Sequence, residues 1–497
     1  MSVHRHLSGR EGTSGSQDNA TLPDRSNYKT INSINSLWDA LGLPSSALSS
    51  LSLPDADKPA LPSSFKIGHL AQTSIGLSAL AAALIGAARN QQSEVPKVIV
   101  PLRHAVVEFM SERFHVVDGQ EYDSASRTVI GGLHEAQDGY VRIHDGFPNH
   151  RDGALRLLGL EPGVATREDV QEKVRAWSAV ELEEAAVQSK VVIAALRSYE
   201  EWDAMPQARA VANVPVSVRR AGLPRLPKTL RPADRCLEGL RVVEMTRVIA
   251  APVAGRTLAA HGADVVWVVS PSLPYLPAID RDFSRGKRIA SLDAKDSEGK
   301  KKLLELLRDA DVFLQGFRPG ALEGLGLGKD TLRELNPDLI VASMSAFGDR
   351  GPWAGRRGFD SIVQTCSGMN VSEAEHQRGG QAAKPMPCQA LDHGGGYLLA
   401  FGIMAAVYKR ATEGGAYDVD VSLAGVMKYL RSLGQYEGNS GIEVKSDGAE
   451  YIEQFMETRD SGFGELKAVR HSAAVEGFRV GWDIMPEPPK AHRVNWR

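Results

Sequence analysis

LRVVEMTRVIAAPVAGRTLAAHGADVVWVVS, residues 240–270, is the stretch that decides the fold. It opens with a short apolar strand and closes with ADVVWVVS, a continuous apolar run typical of strands that a parallel sheet buries on both faces. The residues between them favour a helix, because Pro252 stands in its first turn and Gly262 at its end. The stretch therefore predicts a strand, a helix and a second, parallel strand.

The same alternation continues to residue 348. LDAKDSEGKKKLLELLRDA (292–310) has acidic residues early and basic residues late, as helices prefer, and DVFLQGF (311–317) is typical of a strand. A short helix within residues 330–339 precedes the strand IVASMSAFG (340–348). Strands that alternate with helices predict an α/β fold with a Rossmann-like, doubly wound parallel sheet. No G-x-G-x-x-G motif opens the first helix, so the dinucleotide-binding fingerprint is absent.

The composition excludes several classes of protein. The chain has 497 residues and a net charge of −3 with histidine neutral, which gives no sign of a nucleic-acid partner. Three cysteines are too few for a disulfide framework, and the 13 histidines show no metal-ligand spacing, so we expect no metal site. The first thirty residues lack the apolar core of a secretory signal. We expect a cytoplasmic protein, with mitochondrial or peroxisomal placement left open.

One apolar stretch requires a membrane check. Residues 67–88 carry no charged side chain unless His69 is protonated, and a stretch of this length can span a bilayer. It contains Ala, Gly, Ser and Thr as often as Leu and Ile, which favours a close-packed buried helix. The sequence therefore predicts no membrane partner.

Changes in composition divide the chain into five segments. They are a polar, partly disordered tail (1–62), a block with helical charge pairs (63–222), a Pro-rich linker (223–236), the α/β domain (237–438) and a polar C-terminal segment (439–497). The α/β domain is expected to carry the chemistry.

A faint repeat relates the second segment to the fourth at an offset of 321 residues, at which Ala71 aligns with Asp392. At the same offset Arg89 aligns with Arg410, and in each copy an Ala-rich helix is followed by a polar turn and a short strand. A true duplication and chance identity between Ala-rich helices both account for this match.

Two regions of the α/β domain combine basic residues with glycine. They are residues 284–288 with 292–295, and residues 315–321, which follow a predicted strand. Crevices at the carboxyl ends of parallel strands bind ligands in such folds. Arg and Lys there suit phosphate groups, and Phe317 can cover the face of an adenine ring. Solvated basic loops account for the same residues without a ligand, so both interpretations stay open on spacing alone.

The segment LDHGGG, residues 391–396, leads into the apolar helix YLLAFGIMAAVYKR. An Asp before a helix commonly caps its N-terminus. Three consecutive glycines are unfavourable in a helix, but they would leave room for a bulky thioester. A carboxylate at a helix N-terminus stays ionised, which suits a nucleophile. Asp392 is therefore a helix cap or a nucleophile, and His393 alone is expected to be a structural or solvent-facing histidine.

Several motifs together resemble the family III CoA-transferases of the CaiB/BaiF type, which include formyl-CoA transferase, carnitine CoA-transferase and alpha-methylacyl-CoA racemase. The matching text lies within residues 239–423 and includes GLRVVEMTRVIAAPVAGRTLAAHGADVVWV, DVFLQGFRPGALEGLGLG and ALDHGGGYLLAFGIMAAVYKR. The resemblance implies the family's fold, a Rossmann-like parallel sheet plus a smaller α+β domain. It also implies a homodimer of two interlocked chains.

The resemblance implies roles for single residues. The family's nucleophilic aspartate falls on Asp392, and backbone N–H groups near Gly394, Gly395 and Gly396 would stabilise the oxyanions. The family's CoA-contacting positions fall on Val248, Ile249, Leu292, Asp293, Lys295, Gly316, Phe317, Arg318, Ala321 and Arg357. Of these, Lys295, Arg318 and Arg357 would contact the phosphates.

The implied reaction moves CoA from an acyl-CoA donor to a small carboxylic acid. It passes through an aspartyl mixed anhydride and an aspartyl-CoA thioester. Coenzyme A and acyl-CoA are then substrates, and no tightly bound cofactor is expected.

Three departures from the family pattern bear on this activity. Gly358-Phe359-Asp360 stands where the racemase branch has G-H-D, so the second base of a two-base racemase is missing. Ile249 stands where some transferases have Gln, and residues 268–271 (VVSP) lack the acidic residue usual after the strand. An alpha-methylacyl-CoA racemase-like isomerase and an inactive CoA-binding relative therefore stay open as alternatives.

The chain order departs from the family as well. The family's small-domain half normally follows the VDVSL strand, but here residues 63–222, with DGYVRIHDGFPNHRDGALRLLGL, resemble that half and precede the α/β half. Together with the repeat, this order resembles the remnant of a tandem fusion. Its first copy would have lost its nucleotide half and its nucleophile.

Overall fold

The computed structural model describes residues 21–121, 129–274, 276–445, 449–489 and 495–496. Its strands are, in chain order, β1 (Leu51–Ser52), β2 (Val98–Ile99), β3 (Val116–Val117), β4 (Gln120–Glu121), β5 (Gly132–Glu135), β6 (Tyr140–Ile143), β7 (Ile193–Ala195), β8 (Val216–Ala221), β9 (Arg241–Met245), β10 (Asp264–Val269), β11 (Lys287–Ser291), β12 (Val312–Gln315), β13 (Ile340–Ser345), β14 (Ala416–Ser422), β15 (Met456–Ser461), β16 (Gly464–Val469) and β17 (Ala474–Val475).

Its helices are α1 (Thr30–Ala40), α2 (Ile67–Arg89), α3 (Leu102–Glu108), α4 (Pro148–Leu157), α5 (Arg167–Val174), α6 (Ala179–Gln188), α7 (Tyr199–Ala204), α8 (Pro206–Ala210), α9 (Ala250–Ala260), α10 (Pro277–Phe283), α11 (Ser297–Arg308), α12 (Lys329–Leu335), α13 (Asp360–Cys366), α14 (Met369–Gln377), α15 (Ala390–Thr412), α16 (Leu423–Ser432) and α17 (Ala449–Glu453). Short 3-10 helices cover Ser45–Ser50, Ser111–Arg113 and Glu323–Leu325.

A seven-stranded sheet forms the centre of the protein, in the order β11-β10-β9-β12-β13-β14-β8. The strands β9 to β14 run parallel, and β8 adds to the edge antiparallel to β14. Numbered along the chain from β9, the parallel strands lie in the order 3-2-1-4-5-6 of a doubly wound sheet. The predicted α/β fold class is confirmed.

Alternate residues of these strands face opposite layers, because successive side chains of a strand point to opposite faces. Val242 and Val265 pack into the core that contains α9 and α15. Their neighbours Val243 and Val266 pack into a second core with Leu303 of α11 and with α12. Helices on both faces explain why these strands are apolar throughout.

The two longest helices, α2 and α15, lie in the main core. Both are long and apolar enough to cross a membrane, yet every residue of their apolar stretches is buried inside the protein. Gly394 of α15 sits directly against Leu70 of α2. The apolar surface of residues 67–88 is thus used for helix packing, as the sequence predicts.

The elements of the predicted repeat also match in kind. At the offset of 321 residues, α2, β2 and α3 align with α15, β14 and α16. β1 pairs parallel with β2, as β13 does with β14. β8 follows the first copy but adds antiparallel to β14 of the second, while β17 follows the second copy and adds antiparallel to β2 of the first. The two aligned segments, residues 67–111 and 388–432, are called the first and second copy of the predicted repeat. Each is paired with a strand that follows the other, so the two segments interlock within one chain.

The flanking segments are part of this arrangement. Residues 1–20 of the predicted tail lie outside the described residues, but α1 within it buries Ile34, Leu37 and Trp38 in the main core. Residues 30–40 are therefore a packed helix and not part of the polar, partly disordered tail that the sequence predicted. β15 and β16 of the C-terminal segment form a four-stranded sheet with β3 and β4, in the order β15-β16-β3-β4. β5, β6 and β7 form a separate small sheet whose core includes residues of α4, α5 and α6.

Replacing Gly396 with alanine is expected to lower the thermal midpoint by several degrees, whereas Gly395→Ala should leave it unchanged or raise it. A Cβ at Gly396 would meet the backbone oxygen of Ala250 and lie 2.5 Å from Cβ of Val253, and overpacking of this kind costs about 1–3 kcal/mol. A Cβ at Gly395 would lie 3.1 Å from the mobile methyl of Met344, and alanine suits a helix better than glycine. Calorimetry of both variants checks this, and equal midpoints would contradict it.

Candidate active site

Two helices begin side by side at the carboxyl edge of the sheet. α9 leads into β10 and α15 leads into β14, and a helix that leads into a parallel strand begins at this edge. Gly396, in the second turn of α15, packs against Ala250 and Val253 in the first turn of α9. Asp392, one turn before Gly396, therefore lies beside the turn between β9 and α9.

The carboxyl group of Asp392 is in an environment that disfavours its charge. Its side chain is 7% exposed. Burial, and then the carboxyl groups of Asp360 and Glu112, raise the pKa of Asp392 well above the usual range. Asp392 itself does not cap the helix, because Oδ2 of Asp360 accepts the backbone N–H groups of Leu391 and Asp392 at 2.8 and 3.0 Å. The sequence allowed Asp392 to be a helix cap or a nucleophile. Because Asp360 caps the helix, only the interpretation of Asp392 as a nucleophile stays open.

His393 is fully buried and contacts the first copy of the repeat. Its Nε2 lies 3.0 Å from Oε2 of Glu112, and its ring stacks on Phe109 and lies tilted against Phe283. Burial works to raise the pKa of Glu112, but His393 and Arg113 lower it below the usual range. His393 is therefore a buried structural residue, which matches one of the two expected roles and excludes the solvent-facing one.

The structure corrects the role predicted for Gly394–Gly396. All three lie inside α15 and are buried, so their backbone N–H groups are used by the helix and do not face an oxyanion. The space beside them is filled by Leu70, Met344 and Val253. The glycines let neighbouring elements approach α15, and they do not leave the room for a thioester that the sequence predicted beside them.

The predicted CoA-contacting residues follow the carboxyl ends of four strands. Leu292, Asp293 and Lys295 follow β11, Val248 and Ile249 follow β9, Gly316, Phe317, Arg318 and Ala321 follow β12, and Arg357 follows β13. The sheet order separates β11 from β9 by one strand, so the first three residues lie apart from the rest. Ile249 and Leu292 are buried, at 3% and 7% exposure, and their side chains pack in the two cores.

The turn between β9 and α9 has an unusual backbone. Val248 has a φ of +70°, a left-handed conformation that β-branched residues rarely adopt. Such strain tends to persist at functional sites, where the surrounding structure holds it. Gly316 lies next to this turn: its N–H donates to the oxygen of Met245 at 3.0 Å, and a Cβ there would be 3.2 Å from Ala251.

Arg318 and Arg357, two of the predicted phosphate ligands, are brought near each other. Nη1 of Arg318 donates to the oxygen of Gly355 at 3.0 Å, which ties the loop after β12 to the loop after β13. Burial, and then the charge of Arg318, lower the pKa of Arg357. The third residue, Lys295, is exposed and follows β11. In the sheet, β10 and β9 lie between β11 and the strand β12 that precedes Arg318.

A cavity of about 310 Å³ opens at the same edge and is lined by Phe317, Pro319 and Ser343. A larger cavity, of about 890 Å³, lies at the opposite edge between the linker and β9 and is lined by Arg89, Arg235 and Arg241. The larger one is remote from Asp392, and the linker bridges it, because the guanidinium of Arg89 donates hydrogen bonds to carbonyl oxygens of the linker. We therefore associate ligand binding with the carboxyl edge.

Sequence reasoning missed several residues that the fold brings to this edge. They are Glu112, Asp360, Arg247 and the segment 144–150, HDGFPNH. The only available signal was the pair of histidines in that segment, because none of these residues lies in a pattern with Asp392. Within the described parts of the chain, no group of three or more His, Cys, Asp or Glu residues is placed to hold a metal ion. Cys236, Cys366 and Cys388 are free and buried.

Comparison with known proteins identifies relatives of the α/β half. The sequence model described as CoA-transferase family III matches residues 237–450. A probable fatty acyl-CoA transferase of Mycobacterium tuberculosis is 36% identical over 211 residues, which cover 39% of this chain and 52% of the relative. An acyl-CoA transferase of Fusarium pseudograminearum is 30% identical over 286 residues, 52% of this chain and 60% of the relative.

A formyl-CoA:oxalate CoA-transferase of Streptomyces avermitilis is 34% identical over 200 residues, which cover 38% of this chain and 48% of the relative. The chain thus spans about half the length of the curated relatives it matches.

Proposed function

Because residues 237–450 belong to CoA-transferase family III, we propose that the protein transfers coenzyme A from an acyl-CoA to a carboxylic acid, with Asp392 as the nucleophile. The observation that carries the proposal is the position of Asp392: buried, at the start of α15, and beside the strained turn that follows β9. A desolvated carboxylate with a raised pKa is a stronger nucleophile than an exposed one once it has lost its proton.

The proposed reaction needs no redox step. The Asp392 carboxylate attacks the thioester carbonyl of the donor and the C–S bond breaks. CoA thiolate is the leaving group, and Asp392 and the acyl group form a mixed anhydride. The thiolate attacks the Asp392 carbonyl of the anhydride and releases the donor acid, which gives an aspartyl-CoA thioester. The acceptor carboxylate attacks that thioester, and the thiolate it displaces then attacks the acceptor's carbonyl. The product acyl-CoA and free Asp392 carboxylate result.

Oxyanions formed in these steps need hydrogen-bond donors. The N–H groups of Leu391 and Asp392 are taken by Asp360. The first turn of α9 has no side-chain cap, and it adjoins Gly396 one turn after Asp392. We assign the donor role to the N–H groups of Ala250 and Ala251 in that turn.

We further propose that CoA lies along the carboxyl edge, with its phosphates near Arg318 and Arg357, and that the protein works in the cytoplasm. The family resemblance implies an interlocked homodimer. In this chain β8 and β17 make the interlock internally, so the proposed active unit needs no second chain to supply it.

The test is to trap the covalent intermediate. The protein is incubated with acetyl-, butyryl- and succinyl-CoA in turn, without an acceptor, and then treated with hydroxylamine or borohydride. Mass spectrometry of the peptides should find the modification on Asp392. CoA binding without modification by any donor would instead favour an inactive CoA-binding relative, and solvent deuterium entering the α carbon without transfer would favour an isomerase.

Replacing Asp360 with asparagine is expected to move the acid limb of adduct formation to lower pH. Asp392 reacts only when ionised, so the rate is lost as the pH falls through its pKa. The neighbouring Asp360 carboxyl contributes to the raised pKa of Asp392, and burial raises the pKa of Asp360 itself to about 6. Asparagine keeps an oxygen for the N–H groups of α15 but removes the like charge, so the pKa of Asp392 should fall.

The measurement is the rate of acetyl transfer from acetyl-CoA to Asp392 between pH 5 and pH 9, for the wild type and for Asp360→Asn. Glu298→Gln, at an exposed residue of α11, is the control. A profile that does not move, or that moves to higher pH, would show that Asp360 does not set the ionisation of Asp392.

A further inference from the structure

The segment 144–150 of the small sheet's domain is fixed against the α/β domain. It directly follows β6, and Asp145 holds its turn, because Oδ2 of Asp145 accepts the N–H groups of Ile130 and Gly131 at 3.0 and 2.8 Å. The ring of His144 lies flat on that of Phe359, with 3.8 Å between ring centroids and 7° between planes. The rings of Phe147 and His150 both lie about 6.0 Å from Phe359.

Phe359 connects this segment to the nucleophile. It immediately precedes Asp360, whose carboxyl oxygen accepts the backbone N–H groups at the start of α15, including that of Asp392. The segment therefore faces the end of the site where acyl groups react. The predicted CoA positions after β11 are separated from it by the sheet order.

Positive charge collects here without a carboxylate partner. The guanidinium of Arg247 lies 4.4 Å from the centroid of the Phe147 ring and donates to the oxygen of Pro274 at 2.7 Å. Arg357 is two residues before Phe359. Among the residues that the structure describes, neither arginine forms an ion pair with Asp or Glu within 4.0 Å. Arg247 senses the carboxylate of Asp280 electrostatically, but no ion pair within 4.0 Å joins the two side chains.

The histidines add buried ring nitrogens that lack hydrogen-bond partners. Nδ1 of His144 and Nδ1 of His150 are buried and have no hydrogen-bond partner in the described part of the chain, and the side chain of His150 is 8% exposed. Burial, and then Arg357 and Arg247, lower the pKa of His150 to about 4. His150 is therefore neutral at pH 7 and keeps one ring N–H to donate. Polar groups buried in this way are normally satisfied by a protein, water or ligand partner.

We propose that Arg247 and His150 bind the carboxylate of the acceptor acid. This rests on the proposed transferase function and specifies the acceptor's binding group. Guanidinium groups bind carboxylates by charge-assisted, frequently bidentate hydrogen bonds, and the neutral imidazole donates one more. Phe147 and Phe359 form an apolar wall that leaves the arginine charges poorly screened by water. The remaining anion that suits these donors is a phosphate of CoA, and the experiment separates the two.

Binding is measured at pH 7.5 by isothermal titration of acetate, oxalate and succinate into CoA-saturated protein, and separately of CoA into free protein. The variants are Arg247→Gln and His150→Gln, and the control is Arg175→Gln, an exposed arginine of the same small domain that pairs with Glu135. At least one carboxylate should bind the wild type, and its affinity should fall about tenfold or more in both variants. CoA affinity and the control should be unchanged.

Two results would overturn the proposal: no carboxylate binding to the wild type, or carboxylate affinity that the variants leave intact. An equal loss of CoA affinity would also overturn it, because the site would then belong to a CoA phosphate. The titration involves no chemistry, whereas trapping at Asp392 involves no acceptor. Failure of the carboxylate site and failure of the transferase function are therefore recorded by different measurements.

Discussion

Asp392→Asn is expected to abolish CoA transfer and adduct formation. The amide has nearly the shape of the carboxyl group but cannot form the mixed anhydride, and loss of a nucleophile typically costs on the order of 10⁴-fold or more in rate. The fold should not suffer. The native carboxyl group is buried near Asp360 and Glu112, which together with burial raise its pKa, so a neutral side chain at this position removes an unfavourable charge.

The decisive comparison is between activity and stability in the same variant. Asp392→Asn should lose the trapped intermediate while its thermal midpoint stays equal to that of the wild type or rises. Glu298→Gln, at an exposed residue of α11, is the control, because it also replaces a carboxyl group by an amide and keeps the nucleophile. If Asp392→Asn retained a tenth of the transfer rate, the aspartyl mechanism would be wrong.

The α/β half was predictable because its signals are local. Pro252 lies in the first turn of α9 and Gly262 lies just after its end. The apolar runs of β9 and β10 predict strands that other elements cover on both faces of the sheet. The Ala-rich composition of residues 67–88 also sufficed to predict a buried helix. Each of these inferences depends on residues that are neighbours in the chain.

The contacts around Asp392 were not predictable in the same way. Glu112 reaches His393 across 281 positions of sequence, and the segment 144–150 reaches Phe359 across more than two hundred. Neither contact leaves a periodic pattern in the sequence, and each depends on the packing of segments that are far apart in the chain. The glycines of the LDHGGG segment show a different limit: room for a ligand and close helix packing call for the same residue, and only the neighbours Leu70 and Val253 distinguish them.

The buried ion cluster behind His393 carries the second large prediction: Asp282→Ala should destabilise the protein by about 3–5 kcal/mol. Oδ2 of Asp282 pairs with Arg256 at 2.6 Å, and its Oδ1 pairs with Arg285 at 2.5 Å. Oδ2 also accepts the hydroxyl of Ser111 at 2.6 Å. All three charged side chains are at most 1% exposed. Removing the carboxylate would leave two buried guanidinium groups without the partner of their ion pairs.

Asp282 connects α9 to the segment around Ser111, and the relative position of these two parts of the chain shapes the site. Arg256 lies in α9, and Ser111 belongs to the first copy and adjoins Glu112. The guanidinium of Arg256 lies 4.6 Å from the centroid of the Phe283 ring, and that ring lies tilted against His393 with 5.9 Å between the ring centroids. Loss of the cluster should therefore also weaken the alignment of Glu112 with His393.

Thermal unfolding of Asp282→Ala is compared with that of Glu298→Ala, which breaks an exposed pair with Lys302 on α11. Exposed pairs of this kind contribute under about 1 kcal/mol, so the control should unfold within a degree or two of the wild type. The buried variant should unfold many degrees earlier, and a soluble fraction recovered at low temperature should form the Asp392 adduct more slowly. Equal midpoints for the two variants would mean that the arginines find other partners. The cluster would then not hold the two copies together.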